Sequence, residues 1–370
     1  MTKKLRVGVL FGGRSGEHEV SLVSARSVMD AFDRDRYEII PMGITKGGKW
    51  LSSGEPMKRL EGEAKQEQRL GPGAGQETTR EVVASHKELI PGAGRDGIPQ
   101  VDVIFPVLHG PFGEDGTLQG LLEMANVPYV GSGVLGSALA MDKAAAKAIF
   151  RAQGLPCADF ELVTRWDWEE RPSVVQERIT QRIGYPCFVK PANLGSSVGV
   201  SKVHVASELP AALDHACRYD RRLIVEVSIN AREIECSVLG NEEPVASVLG
   251  EIVPTREFYD YEAKYHDDST ELIIPAQLDA STTAEIQVLA VRAYLALDCA
   301  GMARADFFLC RDTGKSYVNE LNTIPGFTSI SMYPKLWEAS GLPYPDLLDR
   351  LVQLALERHR DRKRMSTSYN

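Results

Sequence analysis

Gly301-Met-Ala-Arg-Ala-Asp-Phe-Phe-Leu309, then Arg311-Asp-Thr-Gly314, then Lys315-Ser-Tyr-Val-Asn-Glu-Leu-Asn322 reads as two strands joined through an Asp-Thr-Gly turn. Period-two alternation puts Arg304 and Asp306 on one face, and Glu320 and Asn322 on one face of the return strand. Folding the hairpin symmetrically about Thr313 sets Asp306 opposite Glu320 and Arg304 opposite Asn322. Directly opposed carboxylates repel, and a shared divalent cation relieves that repulsion. Two carboxylates and an amide oxygen suit Mg²⁺, whose remaining positions go to water and substrate phosphates. The competing reading is a solvated strand face on which Arg304 pairs with a neighbouring acid.

Working outward, Lys190-Pro-Ala-Asn-Leu-Gly-Ser-Ser-Val-Gly-Val200 places a lysine at a strand end before a loop of small residues. Gly195, Ser196, Ser197 and Gly199 let backbone amides approach a phosphate closely, and Lys190 adds charge. The alternative is a tight hairpin without a ligand. Neither G-x-G-x-x-G nor G-x-x-x-x-G-K-[ST] stands here or after the first apolar run, which disfavours dinucleotide and P-loop folds.

Toward the start, Leu5 to Phe11 reads as a buried strand ending in Gly12-Gly13. A helical stripe of Val20, Val23, Val28 and Ala31 and a second apolar strand, Tyr37 to Ile44, follow it. Strand, helix, strand opens a parallel α/β sheet. Val101 to Val107 adds a third strand, and Leu118, Leu121, Leu122 and Ala125 stripe a helix capped by Asp115. Residues 54 to 100, rich in glycine and charge, read as an insertion or loop region outside the core. From Met141 the pattern changes to mixed helices and antiparallel strands, giving three modules with boundaries near 140 and 228.

Two polar loops follow buried strands, where open α/β sheets bind ligands. In Gly16-Glu17-His18-Glu19, Glu17 either holds an ammonium group or favours the helix dipole. In His109-Gly-Pro-Phe-Gly-Glu-Asp-Gly116, His109 taken alone reads as structural. Phe258-Tyr-Asp-Tyr-Glu-Ala-Lys-Tyr265 is either a closing lid or an exposed polar loop. The basic run Arg358 to Arg364 solvates and terminates the last helix, complementing its dipole.

Composition sets the class. At ~150 residues per domain, the 370 residues allow two or three domains, and 43% hydrophobic with 25% charged residues is ordinary for a globular chain. A net charge of −9 argues against nucleic acid and anionic membrane as partners, so any anion must be met by a local pocket. Six cysteines without a C-x-x-C pair read as buried thiols in a reducing compartment. Arg6 and the early Gly12-Gly13 argue against a signal peptide, and no apolar run approaches the ~18 residues of a membrane helix. A cytoplasmic protein is expected.

Taken together, the motifs resemble the D-alanine–D-alanine ligase family of the ATP-grasp superfamily. The matching stretches run from Gly12-Gly-x-Ser-x-Glu-x-Glu-Val-Ser21 through His109–Gly116, Met141-Asp-Lys143, Lys190–Gly199, Phe258–Tyr265 and Gly301–Arg304 to Asn319-Glu-x-Asn-Thr-x-Pro-Gly-Phe-Thr328. They stand in the family's order and cover most of the chain outside 52–100. Ala305, where a valine is usual, is a mild departure facing away from the metal side.

The resemblance implies an ATP-grasp fold. An N-terminal parallel α/β domain (1–140, with the insertion 52–100) precedes a small central α+β domain (141–228) and a C-terminal α+β domain (229–370), the last two clasping ATP. It implies Lys143, Lys190, Ser197 and Lys264 at the phosphates, Glu226 to Ile229 at adenine and Glu233 at the ribose. Asp306, Glu320 and Asn322 would hold two Mg²⁺ or Mn²⁺, and K⁺ joins as a candidate activator. Glu17 would anchor the first D-alanine's ammonium beside His109, with Ser196 and Tyr265 closing the lid upon it. Arg304 and a backbone amide near Gly326 would stabilise the tetrahedral oxyanion, and Ser331 with the Met332 amide would take the second carboxylate. An intact Lys264-Tyr265 pair favours a D-alanine acceptor over D-lactate. The implied activity is ATP-dependent formation of D-alanyl-D-alanine through an acyl phosphate, releasing ADP and phosphate, for peptidoglycan precursor synthesis. Acceptors such as D-lactate or D-serine, or another carboxylate–amine pair, are the alternatives. A homodimer is expected from the family alone.

Overall fold

Apolar runs too short for helices and flanked by glycine become the central strands of the first sheet in the computed structural model, which describes residues 3–52, 54–70, 101–253 and 271–366. β1 (Leu5–Gly12) lies between β2 (Tyr37–Ile44) and β4 (Val103–Val107), parallel to both, and the short β3 (Trp50–Leu51) extends the β2 edge antiparallel. Helix α1 (His18–Ala31) connects β1 to β2. Its stripe is rotated from the sequence expectation: Leu22, Ala25, Val28 and Met29 are buried, whereas Val23 is 58% exposed. Val20 and Val23 instead face the large cleft described below. An apolar face turned toward a cleft and one turned toward a core look alike in periodicity.

The reading of 54–100 as loop fails at its start. Residues Pro56–Leu70 form helix α2, and Leu60 is fully buried against Gly43 of β2, where any added Cβ would meet Leu60 Cδ1 at 2.9 Å. Charge on seven of its fifteen positions, two of them flanking Leu60, hid that anchor. Leu60→Ala is expected to destabilise the protein by about 3 kcal/mol in denaturant unfolding; a loss under about 1 kcal/mol would mean that α2 is not part of the core. The remainder of the insertion lies outside the described residues.

Helix α3 (Thr117–Met124) follows β4, but its N-cap is Gly116 at φ 90°, not Asp115. Asp115 still accepts from the first-turn amide of Thr117 at 3.0 Å, and from Phe112 N at 2.9 Å. A left-handed cap explains the choice of glycine there. Helix α4 (Val134–Met141) leads into α5 (Lys143–Ala152), capped by Asp142 through Ala145 N.

The second sheet is antiparallel in the order β5-β8-β6-β7. Its strands are β5 (Phe160–Thr164), β6 (Cys187–Pro191), β7 (Ser201–Val203) and β8 (Arg222–Val227), accompanied by α6 (Arg165–Glu170), α7 (Pro172–Arg182) and α8 (Leu209–Cys217). Residues 228–230 carry the chain to the third sheet, ordered β11-β10-β9-β12-β13. These strands are β9 (Ala231–Gly240), β10 (Val245–Val253), β11 (Glu271–Ile273), β12 (Gly301–Cys310) and β13 (Ser316–Asn322). Helix α9 (Ala280–Ala296) seals one face with Ile286, Leu289, Ala290 and Ala293, the stripe its sequence predicts.

Helix α10 (Met332–Ala339) packs on β9 and β10 of the third sheet, and α11 (Tyr344–Arg362) returns to the first sheet. Leu347, Leu348, Leu351 and Val352 of α11 join Val7, Val9, Phe105 and Val28 in one core cluster. The basic run on α11 is therefore more than solvated. Arg358 donates to Tyr129 O at 3.1 Å and sits 4.3 Å over the Tyr129 ring, and Arg362 pairs with Glu123. Among the described residues, no helix is long and apolar enough to cross a membrane.

Candidate active site

The hairpin of β12 and β13 takes the register read from its sequence: Arg304 opposes Asn322 and Asp306 opposes Glu320. A bulge lies between this outer half and the turn, where Phe307 faces Val318. On the other side of β12, Asp306 pairs with Glu235 of β9, so three carboxylates stand in one row across three strands. Such a row needs positive charge. Arg304 forks onto Asp306 with two bonds of 2.7 Å and reaches Glu235 Oε2 at 3.1 Å, while Lys143 Nζ lies 3.2 Å from Glu320 Oε2. Asn322 Nδ2 donates to Asp306 Oδ2 at 2.9 Å. Burial opposes the Arg304 charge, but Asp306 and Glu235 outweigh it and raise its pKa well above the usual arginine value.

The second sheet contributes the lysines. Lys190, near the end of β6, donates to Glu226 Oε2 of β8 at 2.6 Å, and Lys147 of α5 approaches Glu226 Oε1 at 3.0 Å. Burial would raise the Glu226 carboxyl, yet the two ammonium groups prevail and hold it down at about 2. Lys190 is itself raised: burial lowers it, and Glu226 more than compensates. Lys143 donates to Leu194 O at 2.8 Å in the loop that follows β6. In that loop Ser196 and Ser197 both take positive φ, 51° and 58°, a rare backbone for residues with a Cβ. Such strain concentrates at ligand clamps.

Glu17 stands at the carboxyl end of β1, as the residue before α1, with its side chain not spent on capping that helix. It accepts a hydrogen bond from Ser196 Oγ, which joins the first sheet to the loop of the second. Gly110 is required beside it: φ is +73° and an added Cβ would fall 2.6 Å from Glu17 Oε2. His109 is buried, with Nδ1 3.1 Å from Ile324 O and 3.7 Å from Glu114 Oε1 and Nε2 3.4 Å from Ser24 Oγ. Burial disfavours the imidazolium, but the facing Glu114 wins and raises His109. Gly326 approaches Ser331 so closely that a Cβ would lie 2.6 Å from its Oγ. Ser331 is the N-cap of α10, and its hydroxyl accepts from Thr328 N at 2.9 Å. The first amides of that helix, beginning at Met332, form an anion-attracting end.

One cleft of ≈ 1530 Å³ gathers these groups from all three sheets. Glu17, Ser196, Arg304 and Gly326 line it, as do His109, Ser331 and Met332. So do Lys143, Lys190, Ser197, Glu226, Ile229 and Glu233, together with Asp306, Glu320 and Asn322. Lys264 and Tyr265 lie outside the described residues. Three charged groups escaped the sequence reading: Glu114, Glu235 and Lys147. Glu235 follows Glu233 by two on β9 and so shares its face, a signal that was available. Lys147 carries no motif and is recognisable only by its place on the buried side of α5.

Residues 6–132 match a family model described as D-ala D-ala ligase N-terminus, and residues 149–353 match D-ala D-ala ligase C-terminus. A D-alanine–D-alanine ligase of Thermoanaerobacter sp. is 52% identical over 363 residues, spanning 98% of this chain and 99% of that protein. One from Heliobacterium modesticaldum is 52% identical over 370 residues, spanning 98% of each. Among solved structures, the D-alanine-D-alanine ligase from Coxiella burnetii superposes with a TM-score of 0.81 at 39% identity, covering 98% of this chain and 97% of that one. The VanG D-Ala:D-Ser ligase from Enterococcus faecalis gives 0.80 at 38% identity, covering 95% and 100%.

Proposed function

The chain belongs to the D-alanine–D-alanine ligase family, and from that membership we propose that it joins two D-alanine molecules at the expense of ATP, releasing ADP and phosphate. The product serves peptidoglycan precursor synthesis, and the enzyme works in the cytoplasm. The observation that carries this reading is the cleft where an acid between β1 and α1, Glu17, meets paired cations and paired acids from the other two sheets.

Glu17 takes the first D-alanine's ammonium, with His109 and Glu114 behind it. The carboxylate oxygen of that first D-alanine attacks the γ-phosphorus of ATP; the bond to the β,γ-bridging oxygen breaks, and ADP leaves. Lys143, Lys190, Ser197 and Lys264 hold the phosphates, and the segment from Glu226 to Ile229, with Glu233, holds the nucleoside. The second D-alanine, its carboxylate on Ser331 and the Met332 amide, attacks the acyl carbon through its neutral amine. Arg304 and a backbone amide near Gly326 meet the developing oxyanion. The bond from the acyl carbon to the phosphate oxygen then breaks, and phosphate departs with the proton that the amine gives up. Ser196, Glu17 and Tyr265 close the site against water, which would otherwise hydrolyse the acyl phosphate.

Asp306, Glu320 and Asn322 fit two Mg²⁺ or Mn²⁺ by donor chemistry. They are hard oxygen donors on paired positions, and their repulsion is balanced in this structure by Arg304 and Lys143. The ions would neutralise the transferring phosphoryl group; K⁺ would act as activator. The division into domains at 1–140, 141–228 and 229–370, and a homodimer, complete the reading. Phosphate release from ATP with D-alanine, compared with D-serine and D-lactate as acceptors, tests it. D-alanine should be used in preference; no release with D-alanine would overturn it.

A further inference from the structure

We propose that Lys147 is a positioning residue for the nucleotide: from behind the cleft wall it carries the charge of Glu226, so that Lys190 stays available to the triphosphate. The inference rests on the assignment of Lys190 to the ATP phosphates.

Helix α5 presents Ala144, Ala146, Lys147 and Phe150 to the interior. The alanines let it pack closely, and within that apolar side Lys147 is only 1% exposed. It sits behind the residues that line the cleft. Its ammonium stands 3.0 Å from Glu226 Oε1, while Lys190, at the cleft surface, holds Oε2 at 2.6 Å. One carboxylate is thus divided between two lysines, an oxygen to each. A buried ammonium is expensive to desolvate, and an apolar side chain of similar volume would serve packing better. A stability role alone therefore explains the pair poorly.

Charge explains it. Lys147, Glu226 and Lys190 together carry one net positive charge, located at the cleft side. Without Lys147, Lys190 and Glu226 would form a neutral pair, and an arriving phosphate would have to compete with Glu226 for the Lys190 ammonium. With Lys147 in place, Lys190 can turn toward phosphate without leaving a bare carboxylate.

The test is the ratio of affinities for ATP and adenosine, measured by calorimetry on the full chain. Lys147→Met is expected to weaken ATP about tenfold and to leave adenosine within about twofold, since only phosphates draw on the Lys190 charge. The double variant Lys147→Met/Glu226→Gln frees Lys190 again and should restore the ratio to within about threefold of the unmodified protein. A merely structural Lys147 would change both ligands together and would gain nothing specific to ATP from Glu226→Gln. An unchanged ratio in folded Lys147→Met overturns the proposal, as does a double variant that stays low. Should Lys147→Met not fold, the double variant, which keeps the net charge of the unmodified trio and leaves no buried carboxylate behind, decides alone: a restored ratio supports the proposal, a low one overturns it. Lys190→Met is the control for the underlying assignment. If it binds ATP normally, Lys190 does not serve the phosphates, and both readings fall.

Discussion

Arg304→Met is expected to lower kcat by about a hundred- to a thousandfold, with KM for ATP changed only a few-fold. The reason is the fork onto Asp306 and the contact with Glu235, which fix the guanidinium plane before any charge develops. An oxyanion donor held in advance costs no reorganisation at the moment of reaction. The same variant leaves a row of carboxylates short of a cation, so stability should drop by up to about 3 kcal/mol, tempered by the partial exposure of the side chain. Arg304→Lys separates the two effects. It restores a charge but not the planar fork, so melting temperature should recover further than turnover. A kcat within about threefold of normal in folded Arg304→Met would sink the oxyanion assignment.

Asp306→Asn and Glu320→Gln should each lower turnover at fixed Mg²⁺ by about a hundredfold and raise the Mg²⁺ needed for half-maximal rate. A readout independent of activity is the melting temperature. Mg²⁺ with a nucleotide should stabilise the unmodified protein and lose most of that effect in both variants. Glu320→Gln also releases Lys143 from its 3.2 Å ion pair, which distinguishes it: its affinity for ATP without metal should rise, whereas that of Asp306→Asn should not. Ordinary Mg²⁺ dependence in both variants would remove the metal assignment.

Why some of this was legible in the sequence and some was not follows from the range of each interaction. A strand hairpin is local, and alternation with a short turn was enough to pair Asp306 with Glu320. The bulge before Val318 went unseen, because one extra residue in a strand leaves no compositional trace. Periodicity identified α9 but misphased α1, where Val23 faces the cleft instead of the core. Helix α2 was missed because its one deep anchor, Leu60, is surrounded by charge. Among charged groups, those in motif loops could be picked out singly. Glu235 was marked only by sharing a face with Glu233, and Lys147 by nothing, since its importance lies in a partner 79 positions away, Glu226.

β1, β4 and α1 leave the ribosome long before α11 does. Yet the apolar face built from Val7, Val9 and Phe105 is covered by Leu347, Leu348 and Leu351, which are translated far later. At about 5–20 residues per second, the intervening chain takes tens of seconds to make. Throughout that interval the part of the face that α11 covers has only α1 to shield it, a surface of the kind that nascent-chain chaperones hold. The module that carries Glu17 is thus begun first and finished last, its core closed only when α11 has docked.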